Sequence, residues 1–256
     1  MNFEGIDRPL RAVGSAENAM VNLSLHTQED SDTVAFTCRT RTNLALHLLF
    51  AACRFAVRIE EVECENSGQP FGPFWEEILH NSLGVVTLTV ASLESYANEL
   101  KFEASFKTLA LNRAAKQEIA NRFKSRAKRS GSGPLINYAT ALAVRVNKRL
   151  DPSNLPVENA VALIDLRNAL VHFRPEWSDE RREHDELSEN LRYKFKPSAF
   201  FPNEPMFPRA WASHDFAAWA LRTTVEFLEH FYSEAGVECP LSKFKAQLRE
   251  LSANVL

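Results

Sequence analysis

Arg167, Asn168 and His172 stand within six residues, Arg-Asn-Ala-Leu-Val-His, inside the apolar run VENAVALIDLRNALVHFRPEW. Their chemistry is complementary. An imidazole changes charge near neutral pH, so it can take up or give a proton. A guanidinium stays charged and can hold the negative charge that builds on a phosphorus centre under attack, with no metal ion. On a helix, the amide four residues before the imidazole shares its face and can fix its tautomer by a hydrogen bond. Asp165 falls near the same face. Arg167 and His172 are five residues apart, about 140° around a helix axis. One straight helix therefore does not aim both at a single phosphate.

The same residues have a plainer reading. Arg167 could pair with a carboxylate such as Glu94 or Asp165, while His172 caps a helix C-terminus, where an imidazolium is favoured. Arg followed by His five to seven positions later is a loose pattern, met also at Arg41/His47 and Arg209/His214. Only the middle instance has Asn directly after Arg, a form expected by chance roughly 0.04 times in a chain of this composition.

The elements that must position these groups are mostly helical. Apolar periodicity predicts helices near 41–63, 74–106, 111–129, 135–149, 156–173, 179–190, 213–235 and 240–252. Breakers separate them at Gly68-Gln69-Pro70, at the Gly/Ser stretch 130–134, at Asp151-Pro152-Ser153-Asn154 and at Gly236. Pro175 ends the motif helix. Alternation of Val21, Leu23 and Leu25, and of Val34, Phe36 and Cys38, predicts a small β-hairpin. The expected architecture is mainly α: an antiparallel helical bundle over 40–256, with its core about 75–235, preceded by an N-terminal extension (1–39) carrying the hairpin.

Arg-Asn-x-x-x-His near a helix end resembles the signature of the HEPN superfamily, and Ala91–Leu100 (ASLESYANEL) looks like an earlier core helix of that superfamily. The resemblance covers residues 75 to 235, and its specific part is the six-residue motif. It implies a metal-independent endoribonuclease that cuts RNA through the 2′-hydroxyl, leaving a 2′,3′-cyclic phosphate and a 5′-hydroxyl. His172 would be the acid/base, Arg167 the transition-state cation and Asn168 the orienting amide. It also implies a homodimer in which two motif helices form a composite cleft, and, by analogy, a place in antiphage defence or a toxin–antitoxin pair with a regulatory protein. A non-catalytic HEPN-like module that binds RNA, a nucleotide or a protein is the alternative. Glu94 and Asn98, an i,i+4 polar pair, are supporting candidates that could orient Arg167 or His172 from a facing helix, or could mark its solvent stripe.

The rest of the chain narrows the field. A net charge of −3 and a pI near 6.2 exclude a globally basic nucleic-acid coat, so any RNA contact is a local patch. Such a patch is available in the basic run 113–129, where Arg122, Lys124, Arg126, Lys128 and Arg129 are candidate RNA contacts, unless the run is simply a solvated face. An acidic run, 176–190, could fold over it. The Phe- and Pro-rich stretch 193–211 is too broken for regular helix. Its rings are expected to pack on the bundle in preference to stacking unpaired bases. His47, set among Leu and Phe, reads as a core histidine. No H-E-x-x-H, Gly-rich phosphate loop, G-x-S-x-G or Cys-x-x-Cys occurs; no metal and no cofactor are expected. Four unpaired-looking cysteines and the lack of a long apolar span suggest a cytoplasmic protein that does not enter a membrane.

Overall fold

The computed structural model describes residues 43–100, 121, 133–177 and 182–252, and the backbone of 19–26 and 35–42. It divides into two units, Met1–Asn43 and Leu44–Leu256. The second is all α. Its helices are α1 (Ala45–Glu65), α2 (Phe74–Glu99), α3 (Gly133–Val146), α4 (Leu155–Val171), α5 (Arg182–Leu191), α6 (His214–Glu234) and α7 (Lys245–Ser252). One irregular helical turn (Met206–Ala210) precedes α6, and a tight turn (Pro240–Phe244) precedes α7. In the first unit Ala19–His26 and Ala35–Thr42 are extended in the backbone. The side chains of both stretches, and the basic run with Arg122, Lys124, Arg126, Lys128 and Arg129, lie outside the described residues.

The long α1 and α2 pack along each other because each carries an apolar stripe at helical spacing. On α1 it is Ala45, Leu49, Ala52, Cys53, Ala56 and Ile59; on α2 it is Ile78, Val85, Val86, Val90, Leu93 and Ala97. Ser92 tightens the pair by donating from its hydroxyl to the Ala45 carbonyl at 2.7 Å. Burial pushes the Cys53 thiol up to about 11, so this cysteine is packing material and no nucleophile at neutral pH. His47 is exposed, edge-on to Phe50 at 6.5 Å, which corrects its reading as a core residue. Its neighbours Leu46 and Leu49 take the core stripe, and one step of about 100° turns His47 outward.

The α6 helix is the central post, in contact with α1, α2, α3 and α4. It starts cleanly. The Ser213 hydroxyl accepts from the Phe216 N–H at 3.1 Å, and the half-buried Glu63 carboxylate accepts from the His214 N–H at 3.0 Å. Tyr138 of α3 sets its ring edge-on to Phe227 and Phe231 of α6 and donates from its hydroxyl to the Leu93 carbonyl at 2.8 Å. The Phe/Pro segment behaves as expected from its apolar content. Phe201 and Phe207 are buried, Phe200 meets Phe74, and Phe195 lies against Phe216 and Trp219. No helix among the described residues is long and apolar enough to cross a membrane.

Candidate functional site

Helix α4 carries the motif and is gripped on several sides. It packs against α2, α5 and α6, and Val157, Ala160, Leu163, Ile164 and Leu166 are all buried. Asn154 stands at its N-terminal boundary with extended backbone, followed by Pro156 in the first turn, where a missing N–H costs nothing. Its far end is where the polar motif surfaces. The helix stops at Val171; His172 has left helical geometry (φ −111°, ψ 37°), while its N–H still donates to the Asn168 carbonyl at 2.9 Å.

Arg167 points across to α2, where its Nη2 donates to Glu94 Oε1 in a close ion pair. The guanidinium is about one-fifth exposed and Glu94 about two-fifths. The Arg167 Nε–H is buried and has no hydrogen-bond partner. Asp165 and Asn168 are half-buried on α4, Asn98 is exposed one turn beyond Glu94, and His172 is exposed. The structure thus brings Glu94 to Arg167, one of the two roles expected of it, and leaves Asn98 on the solvent stripe.

The segment after His172 is tied down. Phe173 stacks on the His184 ring at 5.5 Å. The His184 Nε2 lies 3.0 Å from the Arg174 carbonyl oxygen. Glu176 turns back so that its carboxylate accepts the N–H groups of Glu183 and His184, both at 3.2 Å. That caps the first turn of α5 and favours a negative charge there. Sequence reasoning passed over His184 and Glu176. The signal was present as an acid six residues ahead of an amphipathic helix with Pro175 beside it. Around His172 the apolar side chains of Val171, Phe173 and Trp177 are 58%, 48% and 79% exposed.

Chemically, this end of α4 offers a solvent-facing imidazole, a tethered guanidinium with a spare donor, and aromatic surface. Among the described residues no group of three His, Cys, Asp or Glu side chains could hold a metal ion. Compared with family models, with curated proteins and with solved structures, the chain matches none.

Proposed function

We propose that the protein is a HEPN-like, metal-independent endoribonuclease whose site is the C-terminal end of α4. His172 takes the proton of an RNA 2′-hydroxyl; the freed oxygen attacks phosphorus, the P–O5′ bond breaks, and the departing oxygen regains a proton from the imidazolium. Arg167 holds the charge on the phosphorane, Glu94 positions Arg167, and Asn168 orients the imidazole. Asp165 and Asn98 flank the site. Two copies meet to complete the cleft, the basic run with Arg122, Lys124, Arg126, Lys128 and Arg129 follows the RNA backbone, and the hairpin of the first unit is an appendage to that domain. A role in defence or as a toxin held by a partner protein belongs to the same reading, as does a cytoplasmic location.

The observation that carries it is that one end of α4 holds both an exposed His172 and an Arg167 whose Nε–H is buried and unpartnered. The Arg167–Glu94 ion pair favours a second reading. In it the guanidinium is neutralised, the pair locks α2 to α4, and the protein is a non-catalytic module that binds RNA, a nucleotide or another protein.

The two separate on one gel. Purified protein and its His172→Ala variant are incubated with RNA in EDTA, and the product ends are analysed. Cleavage to 2′,3′-cyclic phosphates that disappears with His172→Ala is expected. Intact RNA in both lanes, from folded protein, hands the site to the second reading.

A further inference from the structure

An exposed imidazole has little packing of its own, so its position is the one its backbone gives it. His172 is such a side chain. Upstream, its backbone is held by the last bond of α4, in which its N–H donates to the Asn168 carbonyl at 2.9 Å. Downstream, residues 173–177 belong to no helix or strand. A chain leaving a helix end frays unless something ties it down.

Here the tie is one buried side chain of α5. His184 is 7% exposed, and its Nε2 lies 3.0 Å from the carbonyl oxygen of Arg174, two residues past His172. A carbonyl can only accept, so Nε2 carries the hydrogen of that bond. The same ring lies on Phe173, nearly parallel at 29°, with centroids 5.5 Å apart. One imidazole thus fixes both residues that follow His172. Glu176 makes a second tie, its carboxylate accepting the Glu183 and His184 N–H groups at 3.2 Å. The anchor is itself held. Phe207 meets the His184 ring edge-on at 4.9 Å, and the Ser188 hydroxyl donates to the His184 carbonyl at 2.8 Å while accepting the Phe207 N–H at 3.0 Å. Leu187 and Leu191 are buried on the same helix, so the seating of α5 does not rest on His184 alone.

We propose that His184 is a positioning residue for His172. It pins the chain at Phe173 and Arg174, and so fixes where the His172 imidazole stands at the end of α4. Being buried, it touches no substrate. Its effect on RNA cleavage rests on the reading of His172 as the acid/base; the pinning itself does not.

Two substitutions separate the pin from the packing. His184→Phe keeps a ring on Phe173 and removes the donor, whereas His184→Gln removes the ring and keeps an N–H at a similar reach to Nε2. Hydrogen exchange is followed by NMR in the full chain at the His172 amide, with the Leu163 amide, buried mid-helix in α4, as reference. His184→Phe is expected to speed exchange about tenfold at His172 and to leave Leu163 within about twofold, and His184→Gln to restore the wild-type rate. In RNA cleavage the same loss and rescue should appear in kcat, about tenfold or more, with KM unchanged because no RNA contact is altered. Should His184→Phe fail to fold by its melting profile, Glu176→Ala releases the second tie and must speed exchange at His172 alone. Unchanged exchange at His172 in the folded variant, equal speeding at Leu163, a glutamine variant no better than phenylalanine, or a loss confined to KM overturns the proposal. Wild-type protein that leaves RNA intact instead overturns the cleavage reading, and the exchange rates still decide the pin.

Discussion

At the scale of single residues, Glu94 is the side chain on which the two functional readings differ most. Its ion pair with Arg167 is part-exposed, so solvent screens it and its contribution to stability is small. Glu94→Gln is expected to lower stability by less than about 1 kcal/mol. If Glu94 positions Arg167 for catalysis, the same change slows RNA cleavage about tenfold or more, because misplacing a charged group in a site costs far more than it does in a fold. Equal losses in both assays, measured by urea melts and single-turnover cleavage, would assign the pair to packing. Glu63 gives a second residue-scale test. Burial pushes its carboxyl above the usual 4.5, against the opposing pull of the His214 N–H. A raised folded-state value means that the stabilising, protonated form prevails below about 4.5 and is lost as pH rises through the folded-state value. Glu63→Gln keeps the acceptor for the α6 cap without the charge. Its stability relative to wild type should therefore climb between pH 4 and pH 7, and a pH-independent difference in the melts would refute the assignment.

At the scale of elements, the join of α2, α3 and α6 rests on Tyr138. Its hydroxyl reaches the Leu93 carbonyl while its ring fills the space against Phe227 and Phe231. Tyr138→Phe keeps the ring and deletes the bond, so a loss of about 1 kcal/mol in urea denaturation is expected, and no loss would mean that the ring alone makes the join. The helices themselves were legible in the sequence because each long one carries its own apolar stripe, from Leu49 to Ile59 or from Phe216 to Phe231. The end of α4 was legible to within two residues from Pro175. Periodicity could not say which helix faces which: α2 could be named as a partner of Arg167, but only three-dimensional packing brings Glu94 to it. His47 misled because a run of Leu and Phe hides its phase, and one position off the stripe is enough to turn a side chain to solvent. The Ser92 bond to the Ala45 carbonyl and the Tyr138 bond to the Leu93 carbonyl join segments far apart in the chain, which local spacing does not encode.

At the scale of the whole molecule, the question is whether one copy is sufficient. Arg167 and His172 leave α4 in different directions, the first toward α2 and the second at the helix end, while Val171, Phe173 and Trp177 expose apolar surface around the imidazole. Single exposed apolar side chains are ordinary, but three within seven residues, beside a candidate site, are what a self-contact uses. If the proposed dimer forms, a contact of about 800 Å² per partner would have to spread from this patch, with Trp177 as its anchor. Trp177→Asp is expected to weaken self-association at least about thirtyfold, the worth of one aromatic anchor, in sedimentation equilibrium. RNA cleavage should fall in parallel and recover at high protein concentration. A mixing experiment then asks who supplies which group. Arg167→Ala and His172→Ala are each inactive alone in this reading. Random re-pairing makes about half the dimers mixed, and each mixed dimer regains one cleft with the arginine of one copy and the histidine of the other. About a quarter of wild-type activity should return. Mixed dimers that form, by mass, yet stay inactive would show that the groups do not act across an interface, and α4 would have to bring both to one phosphate by itself, which its five-residue spacing opposes.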